Sequence, residues 1–308
     1  MAKILVTGGA GFIGSNLVDR LIADGHDVVI IDNLVSGKKE YLNPQAKFYH
    51  LDIASEKISE IFAIQKFDFV CHLAAQIDVR RSVSDPEEDI KVNVLGGLNI
   101  LKNCRDYGVK KLVFSSTGGA IYGEDAEIPT PETAAAEPIS PYGIHKLTFE
   151  KYLNYYYRVY GQAYTVLRFA NVYGPRQFKG GEAGVIAIFT DNGVDGRESV
   201  INGDGLQTRD FVYVGDVVEA LVRALNSDYI GAINIGTGVE KSLLDVVLAI
   251  ELALGHSIAK SHVPAKLGEQ RRSCLSYERA RQILGWEPSV DMNEGIKRTI
   301  AWAKSQKE

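Results

Sequence analysis

Cysteine is scarce in this chain: there are three, at positions 71, 104 and 274. They lie too far apart for a metal-binding spacing and are too few for a disulfide framework, so Cys71, Cys104 and Cys274 each read as a buried thiol and no metal is expected. Long apolar runs are missing too. No stretch approaches the roughly 18 residues that a membrane-spanning helix needs, which excludes an integral membrane protein of that kind. Positive charge is not in excess: 34 Lys and Arg stand against 39 Asp and Glu, a formal net charge of −5. A nucleic-acid partner therefore has no electrostatic footprint. Internal repeats and low-complexity linkers are absent. The opening residues run into a strand pattern without the features of a signal peptide, so the expected location is the cytoplasm. What remains is 308 residues, 45% hydrophobic and 24% charged, the profile of a globular protein with one large domain and a smaller second lobe.

Glycine is where the sequence becomes specific. An apolar run (Ile4, Leu5, Val6) reads as a buried parallel strand, and Gly8, Gly11 and Gly14 follow it at the spacing G-x-x-G-x-x-G. A helix is expected over 15–23, with Leu17, Val18, Leu21 and Ile22 on one face. Strand, glycine turn and helix N-terminus together form an anion site, because backbone N–H groups and the positive end of the helix dipole face a phosphate. Gly8 lets the chain turn, Gly11 lets a pyrophosphate approach, and Gly14 lets the helix pack on the strand. The backbone at Gly8, Gly11, Phe12 and Ile13 is the expected phosphate contact. A second strand over 27–31 ends at Asp32, 21 residues past Gly11. An acid there accepts hydrogen bonds from both ribose hydroxyls and repels a 2′-phosphate, which favours NAD over NADP. The alternative is an Asp capping the loop into Asn33.

The alternation continues. A third strand over 48–51 ends at Asp52, near the adenine, with Ile53 next. A fourth over 67–73 leads into Ala74, Ala75 and Gln76, small residues that leave room for a cofactor, while His72 reads as a packed strand residue. One long helix is expected over 86–107. A fifth strand over 111–114 runs into Ser115, Ser116 and Thr117, which crowd hydroxyls at the C-terminal edge where open α/β sheets bind ligands. A helix then opens at Tyr142 and reaches about residue 160. Tyr142 and Lys146 are four apart and share one helical face. Free tyrosine, with a pKa near 10, is a poor base at neutral pH, and an adjacent ammonium with a cationic nicotinamide would favour its phenolate. His145 is expected on the surface. Tyr155, Tyr156 and Tyr157 suggest either a helix–helix contact or core packing. A sixth strand over 163–169 ends in donor-rich residues from Arg168 to Arg176.

Beyond it the rhythm breaks. Gly180, Gly181 and Gly184 interrupt the chain, a short apolar helix precedes Phe189, a turn falls at 202–205 and a strand at 207–212. This irregularity suggests a second lobe folding over the first. Helices over 216–225, 242–254, 276–284 and 292–304 and a strand over 232–236 complete the chain. The expected division is a doubly wound Rossmann domain over 1–170, rejoined by 213–238, and a smaller α/β substrate lobe over 171–212 and 239–308.

In this order, Gly8/Gly11/Gly14, Asp32, Ala74-Ala75, Asn93, the segment from Ser115 to Tyr122-Gly123, Tyr142-x-x-x-Lys146 and the stretch from Arg168 to Arg176 resemble the extended short-chain dehydrogenase/reductase family over essentially the whole chain. The segment Asp204-Gly205-x-Gln207-Thr208-Arg209-Asp210-Phe211-Val212 narrows the resemblance to the nucleotide-sugar enzymes of the UDP-glucose 4-epimerase group. That resemblance implies an isomerase acting at carbon 4 of a UDP-hexose through a transient 4-keto sugar, with NAD as resident cofactor and a homodimer formed by the helices around 91–107 and 149–160. It implies Tyr142 as base, Lys146 as its partner and Thr117 as the hydroxyl on the same oxygen. It places Asn33, Gly37, Asp52, Ile53, Leu73, Gln76, Asn93, Ser115 and Phe169 at the cofactor. Asn171 and Arg209 fall to the diphosphate, Glu269 to the uridine ribose, and Val79 and Val185 to the substrate pocket.

Three departures stand out. The family's hydroxyl residue lies four before the Tyr-Gly pair; here Gly118 holds that place and Thr117 lies five before, with Ser116 in reserve. Lys266 stands where relatives carry a second phosphate-binding Arg, keeping the charge without the fork. Ser273, or Cys274, falls near the gatekeeper that limits room beside carbon 2, which would admit an N-acetyl group. Gly118-Gly119 replaces the Asp-Glu pair of the family's dehydratases, so dehydration is not expected. UDP-N-acetylglucosamine and UDP-glucuronate 4-epimerases, another dehydrogenase of nucleotide sugars and a non-catalytic NAD-binding module remain as alternatives.

Overall fold

The computed structural model describes residues 1–177, 184–265 and 270–307. Its first strand, β1 (Lys3–Thr7), is apolar in both directions. Ile4 and Val6 enter one hydrophobic cluster and Leu5 enters another, each 1% exposed or less. A strand buried on both faces belongs in the middle of a parallel sheet covered by helices. Such a sheet forms from β1, α1 (Phe12–Ala23), β2 (Asp27–Asp32), β3 (Lys47–His50), α2 (Ile58–Gln65), β4 (Phe69–His72), α3 (Val79–Ser84), α4 (Pro86–Ile90), a π-helical turn (Lys91–Gly96), α5 (Gly97–Asp106), β5 (Lys111–Thr117), α6 (Pro141–Tyr160) and β6 (Tyr164–Phe169). The remainder is β7 (Asn171–Tyr173), α7 (Val185–Asp195), β8 (Ser199–Asn202), β9 (Thr208–Tyr213), α8 (Val214–Leu225), β10 (Gly231–Ile235), β11 (Glu240–Ser242), α9 (Leu243–Leu254), β12 (Lys260–Val263), β13 (Arg272–Ser273), α10 (Glu278–Leu284) and α11 (Met292–Ser305).

Seven strands pair in parallel in the order β10-β6-β5-β4-β1-β2-β3. On one face α1, α8 and α10 pack over Ile4, Val6, Ile30, Val113 and Leu167; on the other, α2, α5 and α6 pack over Leu5, Val29, Val70, Leu112 and Val166. From β1 the chain winds outward to β2 and β3, then returns to β4 on β1's other side. That reversal opens a crevice at the C-terminal ends of β1 and β4. The doubly wound Rossmann class is therefore observed.

The second lobe holds a small sheet, β11-β9-β13 with β7 also paired to β9, and a pair β12-β8. Helices α7, α9 and α11 pack around it on a separate core that includes Tyr173, Phe189, Ile201, Val246 and Ile296.

The structure corrects several boundaries. The expected helix over 86–107 is three pieces. Asp85 caps α4, accepting from the Glu88 N–H at 3.0 Å, and the π turn precedes α5. Gly96 and Gly97 sit where a Cβ would lie 2.8 Å from Ile53 and 2.7 Å from Phe149, so this segment packs by its backbone. Phe189 lies inside α7 rather than after a helix, and α10 starts at Glu278 rather than at 276. The long helix α6 is secured at both ends. Ser140 accepts from the Gly143 N–H at 3.2 Å, Pro141 takes the first helical position, and Gly161 closes it with φ of 73°.

Candidate active site

Gly8 makes the opening turn with φ of 71°, and a Cβ on it would lie 2.7 Å from the Ala74 nitrogen. A Cβ on Gly14 would lie 2.1 Å from the Gly8 oxygen, so helix α1 starts directly on the turn. Thr7 staples the two central strand ends. Its hydroxyl meets His72 Nδ1 at 2.7 Å and accepts from the N–H groups of Leu73 and Ala74 at 3.2 Å each. Burial, and secondarily Lys146, pushes His72 down to about 3, so it is a neutral packed residue, as expected.

Asp32 is 7% exposed at the end of β2. Its carboxylate accepts from the Ala10 N–H at 3.0 Å and the Leu34 N–H at 2.8 Å, which holds it beside the glycine turn with acceptor capacity to spare. A Cβ on Gly37 would lie 2.8 Å from its Oδ1. Asn33 donates to Asp52 at 2.8 Å, bringing those two together at the outer end of the crevice. Ile53 is buried against Gly96. A glycine cradle with an acid at its rim fits a dinucleotide with a free ribose. Gly8, Gly11, Phe12, Ile13 and Asp32 would hold its adenosine and phosphates, and Leu73, Ala74, Ala75 and Gln76 would floor it.

Asn93, expected at the cofactor, is 3% exposed and committed to protein. It accepts from the Gln76 N–H at 3.1 Å and donates to the Gln76 oxygen at 2.9 Å and to Asp89 at 3.1 Å. It shapes the β4 exit through Gln76.

Tyr142 stands in the first turn of α6, its N–H donated to Ser82 at 3.1 Å. Lys146, 3% exposed, donates to the Ser115 carbonyl at 3.0 Å, and its Nζ lies 5.8 Å from the Tyr142 ring centre. This ties the Tyr–Lys turn to β5, whose last residue is Thr117. Burial pushes Lys146 down to about 8 against the pull of Asp89 and Glu150. In the protein alone, burial first and Asp89 second push the Tyr142 hydroxyl up, so the lowering expected from Lys146 with a cationic nicotinamide belongs to the NAD-bound state.

Ser116 and Arg168 turn away from the ligand edge. Ser116, 4% exposed, donates to Glu150 at 2.6 Å, so the reserve hydroxyl is spent. Arg168 grips Glu150 with two bonds, at 3.0 and 2.6 Å, and reaches Tyr122 at 2.7 Å. His145 is not on the surface either; its Nδ1 meets Asp89 Oδ2 at 2.5 Å. The tyrosine run divides: Tyr155 and Tyr157 are exposed, whereas Tyr156 is partly buried and packs against the core beneath α5 and α6, with Arg105 over the neighbouring Tyr160 ring at 4.9 Å.

From the second lobe, Asn171 is exposed at the start of β7, and a Cβ on Gly119 would lie 3.9 Å from its Oδ1. Arg209 lies on β9, opposite Lys241 of β11 and Ser273 of β13, and donates to the Thr208 carbonyl at 2.8 Å. Cys274 is 1% exposed and so lines no open space, whereas Ser273 is half-buried. Phe169 ends β6, and Val79 and Val185 open α3 and α7. Lys266 and Glu269 lie outside the described residues.

Sequence reasoning missed Asp89, Glu150 and Ser82. Glu150 had a signal, since it is four residues past Lys146 on the same helical face.

This fold and site define a Rossmann-type dinucleotide enzyme with a tyrosine–lysine turn over the cofactor crevice. The chain belongs to the NAD dependent epimerase/dehydratase family, whose model matches residues 4–236. A relative in Methanocaldococcus jannaschii named as a putative UDP-glucose 4-epimerase is 46% identical, over 98% of each chain. The crystal structure of UDP-glucose 4-epimerase with UDP-glucose from Thermotoga maritima superposes with a TM-score of 0.97 at 48% identity, covering 99% of this chain and 100% of that one. The Thermus thermophilus UDP-glucose 4-epimerase complex with NAD gives 0.93 at 43% identity, covering 98% and 99%.

Proposed function

We propose that this protein is an NAD-dependent isomerase that inverts carbon 4 of a UDP-hexose, interconverting UDP-glucose and UDP-galactose and so serving galactose metabolism. The observation that carries the reading is one edge of the molecule. There Lys146 ties the Tyr142–Lys146 turn to the Ser115 carbonyl of β5, whose last residue is Thr117, and Asn171 approaches Gly119 just beyond that strand. Bound NAD supplies a hydride acceptor that can return what it takes. Tyr142 accepts the proton of the 4-hydroxyl as general base and later gives it back. Thr117 donates a hydrogen bond to the same oxygen. Lys146 holds positive charge under the tyrosine ring. Asn171 and Arg209 grip the diphosphate, a task suited to a guanidinium, with Lys266 and Glu269 as further contacts, and this remote hold retains the 4-keto sugar while it turns. In this reading residues 1–170 with 213–238 carry NAD, and 171–212 with 239–308 carry the nucleotide sugar.

The test is UDP-glucose supplied without added NAD or NADH. UDP-galactose should appear with no lasting absorbance of reduced nicotinamide; accumulation of a ketone or of NADH would replace this reading with a net dehydrogenase. Arg209→Ala is expected to raise KM for the sugar nucleotide about tenfold or more with a smaller effect on kcat, and an unchanged KM in steady-state assays would remove Arg209 from the grip.

A second substrate is favoured by one position. Ser273 pairs with Arg209 across β13 and β9 and is small, which leaves room beside the grip for an N-acetyl group. Turnover of UDP-N-acetylglucosamine in the same product assay tests it. We infer further that the protein is a cytoplasmic homodimer. Three free, buried cysteines suit a reducing compartment. The exposed Leu95, Tyr152 and Tyr155 on the π turn and α6 support pairing of those helices.

A further inference from the structure

The proposed base stands beside a buried carboxylate, and a negative charge there works against a tyrosinate. Asp89 has no exposed surface. Its Oδ1 accepts from Gln76 Nε2 at 2.7 Å and from Asn93 Nδ2 at 3.1 Å, and its Oδ2 meets His145 Nδ1 at 2.5 Å. Gln76 closes the loop by donating to the Asp78 carbonyl at 2.8 Å. His145 sits three residues after Tyr142 and directly before Lys146, with 12% of its side chain exposed. One carboxylate thus joins the β4 exit, the start of the π turn and the catalytic turn of α6.

We propose that Asp89 and His145 are paired positioning residues for Tyr142: Asp89 anchors the catalytic helix to the β4 exit, and His145, as imidazolium, cancels the negative charge that Asp89 presents to the phenolate. The pair rests on Tyr142 acting as the base. A histidine whose Nδ1 carries a proton donates to Asp89 whether or not Nε2 is protonated. The contact is therefore available in either charge state, and the helix stays anchored.

Among the described residues, His145 is the side chain able to carry positive charge that meets the Asp89 carboxylate directly. On α6 itself, Lys146 lies between Asp89 and Glu150, and both carboxylates hold its proton on. Glu150 is committed to Arg168 from β6. From β4, His72 is kept neutral by burial. From α3, Arg81 reaches Glu88 at 3.8 Å, with both side chains substantially exposed. In the π turn, Lys91 is exposed. Asp89 also pushes Tyr142 up, the direction that a counter-charge would reverse.

The test titrates Tyr142 directly in the NAD-bound protein, as the near-ultraviolet phenolate difference between each variant and the same variant carrying Tyr142→Phe. Asp89→Asn is expected to move the titration down by roughly one pH unit, His145→Gln to move it up by about half a unit, and the double variant to fall between them, about half a unit below the wild type. The ascending limb of kcat should move in the same directions while KM for the sugar nucleotide stays within about twofold. Single variants that leave the titration in place, or shift it the same way, overturn the proposal. If Asp89→Asn does not fold, His145→Gln against His145→Lys decides: the charged variant must sit at or below the wild-type titration and the neutral one above it. The titration needs no turnover, so opposite shifts in a protein without 4-epimerase activity keep the pair and retire the reaction. Normal epimerisation with an unmoved titration does the reverse.

Discussion

Tyr142→Phe is expected to leave a folded protein that still binds NAD and turns over at least about 10³-fold more slowly. The substitution removes one hydroxyl, and the N–H bond to Ser82 that fixes the helix start is made by the backbone and survives. What disappears is the proposed proton acceptor at carbon 4, an effect of the size general acid–base catalysis supplies. The protein alone keeps this hydroxyl protonated, since burial and Asp89 both push it up. Turnover should therefore rise as pH climbs through neutrality. Lys146 sets the other limit. Its ammonium is present below about 8 and is lost above it, so the supporting charge under Tyr142 fades and kcat should fall on the alkaline side. Steady-state kcat across pH, with NAD binding followed by quenching of the protein's tryptophan fluorescence, checks both limbs. Wild-type turnover in Tyr142→Phe would remove Tyr142 as the base.

Arg168→Met is expected to cost about 3–5 kcal/mol of unfolding free energy, as for a buried pair that loses one partner. Arg168 and Glu150 are 9% and 7% exposed at their side chains, and among the described residues the carboxylate would keep only Ser116 as a hydrogen-bond donor. The damage spreads beyond one bond. Arg168 also holds the Tyr122 hydroxyl, which donates to Asn234 at 2.7 Å, and Asn234 donates to the Thr130 carbonyl at 2.9 Å. This chain of bonds links α6, β5, β6, β10 and the segment after Thr117, so the wall of the site would loosen with it. Replacing both charges, Arg168→Met with Glu150→Leu, should recover most of the loss because no orphaned charge remains. Urea unfolding followed by circular dichroism reads both. A loss below about 1 kcal/mol in the single variant would show that the pair bears little of the fold's stability.

How much could be read beforehand depends on the range of the signal. The glycine turn is a fixed spacing in consecutive residues, the central strands are short apolar runs whose burial on both faces follows from that composition, and the Tyr142–Lys146 spacing is one helical turn. Those are local properties, written in consecutive residues, and the sequence alone determined them: a doubly wound sheet, an NAD crevice with Asp32 at its rim, and a tyrosine–lysine turn over it. The second lobe was legible only as irregularity, because its strands β7, β8, β11, β12 and β13 are two to four residues long, too short to show a period. The direction in which each polar side chain points was not legible at all. Ser116 and Thr117 are neighbours, yet Ser116 belongs to Glu150, 34 residues away, and His145 belongs to Asp89, 56 residues away. Hydrogen bonds and charge fields act through space, over partners that only folding brings within a few ångströms. Tertiary structure therefore decided which hydroxyl is spent, which histidine is paired, and that burial and Asp89 push the Tyr142 hydroxyl up in the protein alone.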